Sequence, residues 1–234
     1  MTALGTISEG VRSARPRLSA YLSASEIGTF VAQCSERSLP ADSTIFFQGE
    51  KHTTFIIREG LVRTFYVAPS GKEITLAYWS AGDLIGGPYL FDDRRTNIWS
   101  ARAVSRSVVL AIEGAELEKL ARQLPALASF LIDSLSFKLH WASLLLQLLG
   151  TEFVHCRVAT LLMRLAELYG EPYEQAIVIP HTFTQSDLAA MVGATRQGVS
   201  RSLGRLQRDG ILRLHKRRLY ILNPKELSAH TIGS

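Results

Sequence analysis

The sequence predicts an α+β fold in which a strand-rich domain is followed by one long helix and then by a helix-turn-helix with a β wing. Three observations carry this prediction. Short apolar runs separated by turn residues occupy residues 44–112, a heptad pattern occupies residues 128–149, and two short helical patterns joined by a glycine occupy residues 184–210. Short strands at regular spacing are typical of a compact barrel or jelly roll. A chain of 234 residues is long enough for such a division into domains.

The N-terminal part of the sequence divides into an arm and the strand-rich domain. Residues 1–22 are rich in small polar residues and contain Pro16, so we predict a flexible N-terminal arm. Residues 23–123 form the strand-rich domain, which begins with a helix over residues 23–36 capped by Ser23 and Glu26. Strands are predicted over residues 44–47, 53–57, 61–67, 73–79 and 107–112, and a short helix follows over residues 115–121.

Residues 124–150 are predicted to form one long helix that pairs with a second copy of the chain. A helix of about 24 residues is about 36 Å long, which is more than a small barrel covers. A two-stranded coiled coil is the preferred interpretation of the heptad spacing, and a core helix within one chain is the alternative. The apolar seam begins at Ala128, and the predicted dimer interface consists of Ile132, Leu135, Leu139, Ala142, Leu146 and Leu149.

Residues 151–234 are predicted to form a winged helix-turn-helix domain. A further helix over residues 152–169 leads into it through a turn-rich segment, residues 170–180. Thr184 and Asp187 have the spacing of a capping box at the start of a helix over residues 185–192. Gly193 supplies the left-handed turn conformation that a tight corner between two helices needs.

The second helix of this pair presents a polar face that suits DNA. Its buried side is predicted to carry Val199, Leu203 and Leu206. Arg can donate two hydrogen bonds to guanine, Gln can pair with adenine, and Ser can bond to a base or a phosphate. After Gly210, two strands joined by a basic turn form a wing suited to phosphate contact. The predicted DNA-binding residues are Thr195, Arg196, Gln197, Ser200, Arg201, Arg205, Lys216, Arg217 and Arg218. A solvated polar helix face is the alternative interpretation.

The charge distribution agrees with a polyanion partner for the C-terminal part alone. From residue 181 to the end, nine Lys and Arg stand against three acidic residues, which gives this part a charge of +6. The whole chain carries +5, so the first 180 residues carry −1. Such an asymmetry is typical of a neutral body with a nucleic-acid-binding domain.

Several protein classes are disfavoured by the residues present. Cys34 and Cys156 are far apart and have no second Cys nearby, so a disulfide framework, a zinc finger and a four-thiolate iron–sulfur cluster are unsupported. The N-terminus lacks an apolar signal segment, and the most apolar stretch contains Asp133 and Lys138. We therefore expect a cytoplasmic protein that does not enter a membrane.

The order of these parts resembles the family of the cyclic-AMP receptor protein and the fumarate–nitrate reduction regulator, over nearly the whole chain. The resemblance rests on the seam helix and on FFQGEKHTTFIIREG at residues 46–60, SGKEITLAYWSAGDLIG at residues 70–86 and GATRQGVSRSLGRLQRDGIL at residues 193–212. It implies a β-roll effector domain like those that bind cyclic nucleotides, a central dimerisation helix and a winged helix that binds palindromic promoter sites. It also implies recruitment of RNA polymerase, and hence an activator.

The resemblance assigns roles to residues of the recognition helix. Arg196, Gln197 and Arg201 fall where members of the family place their base contacts, and Gln197 stands where many members have Glu. We expect each half-site to contain G opposite Arg196 or Arg201 and A opposite Gln197.

The residues at the nucleotide-binding positions depart from the family pattern. Nucleotide-binding members have a Gly-Glu pair and, further along, an Arg-Ser pair, whereas the matching pairs here are Gly86-Gly87 and Asn97-Ile98. A cyclic phosphate would lack its charge-assisted hydrogen bonds, so we expect an effector other than cyclic AMP, with constitutive DNA binding as the alternative. The expected effector pocket is bordered by Gly86, Gly87, Pro88, Tyr89, Asn97, Ile98, Leu139 and Ser143.

Two further cofactor hypotheses follow from single histidines. Haem occurs in this family, and His140 is the candidate ligand, although a lone histidine on a helix is more often a surface or packed residue. A cupin-like metal-dependent enzyme would need several histidines and a carboxylate inside the barrel, and the strand region offers His52. We therefore expect no metal site, and a regulator rather than an enzyme.

Overall fold

The computed structural model describes residues 15–51, 53–87, 96–151, 153–180, 183–215 and 218–231. The chain forms two compact units. One consists of residues 16–139, and the other consists of the described residues from His140 onwards together with Arg15. The boundary lies inside the long helix that the heptad pattern predicts.

The described residues of the first unit form eight short strands in two four-stranded antiparallel sheets, with the orders β1-β8-β3-β6 and β2-β7-β4-β5. The strands are β1 Ser35–Leu39, β2 Thr44–Phe46, β3 Thr54–Glu59, β4 Leu61–Val67, β5 Glu73–Ser80, β6 Leu84–Ile85, β7 Ser100–Ala103 and β8 Ser107–Ile112. This arrangement confirms the predicted strand-rich domain. Gly60 joins β3 to β4 at a φ of +95°, and a Cβ atom there would lie 2.6 Å from the carbonyl oxygen of Arg106, so a larger residue does not fit.

Helices cover one side of this unit and close its core. They are α1 Leu18–Tyr21, α2 Ala24–Ala32, α3 Gly114–Gln123 and the first part of α4 Pro125–Thr151. Their buried apolar residues pack with those of β3, β6 and β8 in one cluster that includes Phe30, Leu117 and Phe130. Ser23 and Glu26 form the predicted capping box.

The end of the predicted arm differs from the expectation of a flexible segment. Residues 1–14 lie outside the described residues, but Leu18 and Leu22 are buried in the apolar cluster. The Tyr21 hydroxyl donates a hydrogen bond of 2.7 Å to Asp133 of α4, and its ring makes an edge contact with Phe130. Tertiary packing therefore orders a segment that has too few residues to show a helical pattern.

The helix predicted over residues 23–36 ends earlier, at Ala32, and the chain then enters β1. This strand pairs with β8 from Ser35 opposite Ala111 to Leu39 opposite Ser107. Four of its five side chains are exposed. A polar edge strand shows no alternation of apolar residues, and its partner is remote in the sequence, which is why the pattern did not reveal it.

The second unit is a winged helix. After α4 it contains α5 Val154–Tyr169, α6 Gln185–Val192, α7 Arg196–Arg208 and α8 Pro224–Ala229. A four-stranded antiparallel sheet has the order β11-β12-β10-β9. Its strands are β9 Glu171–Tyr173, β10 Ala176–Ile179, β11 Leu212–His215 and β12 Arg218–Ile221. The helix-turn-helix and the wing confirm the prediction, and β9 and β10 replace the expected turn-rich segment. Within the described part of the chain, no helix is both long and apolar enough to cross a bilayer.

Candidate nucleic-acid interface

The corner between α6 and α7 has the geometry of a helix-turn-helix. Thr184 and Asp187 form the capping box that begins α6, and Gly193 ends that helix in the left-handed conformation, with φ 59° and ψ 41°. The side chain of Thr195 then caps α7 by accepting a hydrogen bond of 3.1 Å from the amide of Gly198. Local side-chain chemistry thus sets both ends of the turn.

Helix α7 separates an apolar face from a polar one, as the spacing predicts. Val199, Leu203 and Leu206 are buried. The other face of the helix is open to solvent. The exposed side chains of the helix and its N-cap include Thr195, Arg196, Gln197, Ser200, Arg201 and Arg205, and Gln207 and Arg208 near its end are exposed as well. The structure therefore leaves six of the predicted DNA-binding residues exposed on α7 and its N-cap.

The electrostatics of this surface favour an anion. Arg205 lies 3.8 Å from the carboxylate of Asp209 in an exposed pair, which is weak. Among the described residues, no carboxylate lies within ion-pair distance of Arg196 or Arg201. The first turn of α7 contains no acidic residue, so the positive end of the helix dipole adds to these charges.

The wing presents Arg218 as an exposed residue at the start of β12, opposite His215 of β11. Lys216 and Arg217, which complete the predicted basic turn, lie outside the described residues. An aromatic contact links two strands of the same sheet, since the ring centroid of Tyr220 on β12 lies 5.4 Å from that of Tyr173 on β9. The guanidinium of Arg213 lies 5.0 Å from the Tyr220 ring.

The seam residues of α4 lie on an exposed stripe. The exposed fractions are 62% for Ile132, 45% for Leu135, 68% for Leu139, 71% for Leu146 and 49% for Leu149, and Ala142 is also exposed. The neighbouring Leu127, Phe130 and Leu131 are buried. Single exposed apolar residues are ordinary, whereas a row of large ones along a helix is typical of an interaction surface.

Only some of the residues predicted to line the effector pocket lie in the first unit. Gly86 is buried and Gly87 is half-buried, and the carbonyl of Gly87 accepts a hydrogen bond of 3.1 Å from the Thr54 hydroxyl. Asn97 is also buried, whereas Ile98 and Leu139 are at the surface. Pro88 and Tyr89 lie outside the described residues, and Ser143 is half-buried in the second unit.

Lys138 is a residue near this site that sequence reasoning did not select. Its ammonium donates a hydrogen bond of 3.2 Å to the carbonyl of Gly86 and lies 5.1 Å from the ring of Trp79. Burial lowers the pKa of Lys138 to about 8, and the charge of Asp83 acts in the opposite direction. The signal in the sequence is a lysine inside an otherwise apolar stretch, which argues against a membrane span but does not show which groups surround it.

The residues considered for metals and cofactors are scattered. Among the described residues, no group of three His, Cys, Asp or Glu side chains could hold a metal ion. His140 is exposed on α4, and His52 lies outside the described residues. Cys156 is buried, with its sulfur 3.3 Å from Nε2 of His155, and burial raises the pKa of Cys34 to about 11.

The two units match two protein families. Residues 36–123 match the cyclic nucleotide-binding domain, and residues 156–230 match the Crp-like helix-turn-helix domain. Together with the exposed polar face of α7, these matches define a DNA-binding transcription regulator. The chain belongs to the Crp/Fnr family of such regulators.

Known proteins resemble the chain over most of its length. The cyclic AMP receptor protein of Thermus thermophilus is 33% identical over 194 residues, which cover 82% of this chain and 86% of the relative. The global nitrogen regulator of Synechococcus elongatus is 26% identical over 187 residues, which cover 79% of this chain and 84% of the relative. The solved structure of FixK2 from Bradyrhizobium japonicum has a TM-score of 0.74 at 22% identity, covering 86% of this chain and 98% of that one.

Proposed function

We propose that this protein is a homodimeric transcription regulator whose α7 helices read the two halves of a palindromic promoter site. One observation carries the proposal. Arg196, Gln197 and Arg201 are exposed together on α7, while Val199 and Leu203 hold its opposite face in the core. A side chain that reads a base edge must project freely from a helix that is itself held rigidly.

Dimerisation is supported by the exposed stripe on α4. Burial of a large apolar side chain contributes about 1.5 to 3 kcal/mol, so pairing of two such stripes removes a substantial amount of apolar surface from water. The spacing of the stripe is that of a two-stranded coiled coil. A two-fold axis through paired α4 helices matches a palindromic site. We assign residues 124–150 to dimerisation, 23–123 to effector binding and 151–234 to DNA binding, preceded by the arm, residues 1–22.

The DNA contacts divide into two kinds. We assign base reading to Arg196, Gln197, Ser200 and Arg201, and contacts with the phosphate backbone to Thr195, Arg205 and the wing residues Lys216, Arg217 and Arg218. Bidentate contacts by Arg favour guanine and those by Gln favour adenine. Phosphate contacts add affinity without sequence preference.

Control by an effector in the β-roll is the expected input, and an activator that recruits RNA polymerase is the expected output. The relatives named for cyclic AMP and for nitrogen regulation are both similar to this chain over most of its length, so the similarity does not select one effector. Gly87, Asn97 and Ile98 occupy the positions at which nucleotide-binding members hold the cyclic phosphate, and none of them carries a charge. We therefore assign an effector other than cyclic AMP. The second candidate is constitutive DNA binding.

Selection of binding sites from random duplex DNA by the full-length protein tests the proposal. We expect a palindrome whose half-site centres are about one helical turn apart. Native mass spectrometry of the same preparation reports the mass of the dimer and of any bound molecule. Recovery of unrelated sequences, or of single half-sites by a monomer, would refute the dimeric reader. Selection that succeeds equally with and without a bound small molecule would favour the constitutive alternative.

A further inference from the structure

The ammonium group of Lys138 packs against buried residues of the first unit. It is half-buried on α4, and its ammonium contacts the carbonyl of Gly86 at 3.2 Å. The face of the Trp79 indole lies 5.1 Å away, and the ring of Phe137 makes an edge contact with the same indole. A cation is thus placed between an aromatic wall and a glycine-containing turn.

The groups that contact the Lys138 ammonium balance its positive charge only in part. A carbonyl is a neutral acceptor, and an indole face attracts a cation only moderately. Asp83, in the turn between β5 and β6, is buried and stabilises the ammonium through space. Its carboxylate accepts a hydrogen bond of 2.6 Å from the amide of Ser80. The lowered pKa of Lys138 shows that desolvation outweighs the attraction of Asp83.

The ammonium also retains capacity for a further acceptor. A lysine has three N–H donors, and among the described residues Lys138 makes one hydrogen bond, to Gly86. The carbonyl oxygen of the adjoining residue Gly87 accepts a hydrogen bond of 3.1 Å from the Thr54 hydroxyl. Gly86 has no side chain and has a φ of +76°, and its backbone carbonyl is the group that contacts the ammonium.

We propose that the β-roll binds a small organic anion, a carboxylate or a phenolate, whose charged oxygen accepts a hydrogen bond from Lys138. This inference deepens the proposed effector function and rests on it. A charge-assisted hydrogen bond between an ammonium and an oxyanion is about twice as strong as one to a neutral acceptor. The ligand supplies the compensation that the carbonyl of Gly86 and the ring of Trp79 provide only in part.

The surroundings select a singly charged ligand. Lys138 provides one positive charge, and the negative charge of Asp83 already stabilises it in part. A doubly charged phosphate would add more repulsion from Asp83 than one ammonium offsets in a partly desolvated site. Trp79 and Phe137 provide an aromatic surface for an apolar or aromatic body attached to the anion.

Isothermal titration of the full-length protein provides the test, with phenylacetate and 4-nitrophenolate as the anionic probes and phenylacetamide as the neutral control. We expect both anions to bind at millimolar concentration or better and the amide to bind about tenfold more weakly, since it lacks the charge. Binding of only one anion would assign the source as a carboxylate or as a phenolate. Equal binding of the amide, or binding of neither anion, would overturn the proposal.

Two substitutions of Lys138 test whether its positive charge binds the anion. K138M keeps an unbranched side chain and removes the charge, and we expect it to weaken anion binding about tenfold or more. K138R keeps the charge and is expected to bind. Above pH 8, affinity for phenylacetate should fall about tenfold for each pH unit in the natural protein, because the ammonium loses its proton, and should stay level in K138R.

The outcomes separate this inference from the proposed function. Circular dichroism and DNA-site selection by K138M report whether the fold and the DNA reader remain intact. Unchanged anion affinity in a folded K138M protein would overturn the role of Lys138. If DNA selection succeeds but no anion binds, the ligand inference fails and the regulator stands. If anions bind through Lys138 but no DNA site is selected, the proposed function fails instead.

Discussion

The Cδ2 atom of Leu149 lies 2.4 Å from the position that a Cβ atom on Gly193 would occupy. Leu149 is the last residue of the exposed seam on α4, and Gly193 is the corner of the helix-turn-helix. The end of the seam and the corner of the reader are therefore in direct contact. The left-handed φ of 59° favours glycine at this corner, and a Cβ atom there would require the Leu149 side chain to move.

We predict that G193A lowers the free energy of unfolding by about 1 to 3 kcal/mol, because a residue with a Cβ atom is strained in the left-handed backbone conformation at this corner. Urea unfolding measures the change. G204A is the matched control, since Gly204 lies within α7 and a Cβ there would meet no atom closer than 3.9 Å. That variant should be neutral or stabilised by about 0.5 to 1 kcal/mol. Equal losses in the two variants would contradict the corner assignment.

We predict that L146E weakens dimerisation about 100-fold, or about 3 kcal/mol, because it places a carboxylate in the apolar seam. Sedimentation velocity over a range of protein concentrations measures the dissociation constant. Q147E adds the same charge at the adjacent exposed position, away from the heptad seam, and should leave the dimer intact. A dimer unaffected by L146E would place the interface elsewhere.

We predict that R201A reduces affinity for the selected DNA site by about 1 to 3 kcal/mol and leaves affinity for random DNA nearly unchanged. Fluorescence anisotropy with both duplexes at one salt concentration measures the two effects. R164A removes the same charge from α5, where Arg164 pairs with Glu167 at 2.7 Å, and serves as the control. A parallel loss on both duplexes would assign Arg201 to phosphate contact rather than to base reading.

We predict that Q197E changes the preferred base at one position of each half-site. A carboxylate accepts a hydrogen bond from cytosine N4, whereas the amide of Gln pairs with adenine. Selection from random DNA with both proteins reports the change directly, and the other positions of the half-site act as the internal control. An identical consensus for the two proteins would exclude Gln197 from base contact.

We predict that the difference in the free energy of unfolding between the natural protein and K138M depends on pH. The pKa of Lys138 in the folded chain is about 8, below the ordinary value in the unfolded chain, so the unfolded state binds more protons between these values. The stability of the natural protein should therefore rise relative to K138M, by about 1 to 3 kcal/mol, as pH increases from 8 to about 10.5. Below pH 8 the full penalty of the desolvated ammonium is present. A difference that is constant across this range would mean that Lys138 is solvated.

Local sequence signals predicted the parts of the fold that depend on neighbouring residues. The capping pair Thr184 and Asp187, the corner at Gly193 and the buried face of α7 all have fixed spacings along the chain, and the structure confirms them. The exposure of the seam also follows from spacing, since a heptad repeat places Leu139 and Leu146 on one side of a helix.

Other features depend on contacts between residues that are remote in the sequence. The strand β1 was missed because its side chains are mostly exposed and its partner is β8. Burial of Leu18 and Leu22 depends on a core built from α2, α3 and α4. Neither feature leaves a periodic pattern in its own segment, so only the folded chain reveals it.

The sequence by itself determined the class of protein, because the helix-turn-helix, its basic polar face and the heptad seam are patterns of residue type and spacing. The tertiary structure decided the environment of Lys138. Trp79, Asp83 and Gly86 are distant from it along the chain, and their approach converts an ordinary lysine into a desolvated cation. Spacing encodes which face of a helix is apolar, but desolvation depends on which remote groups fold against that face.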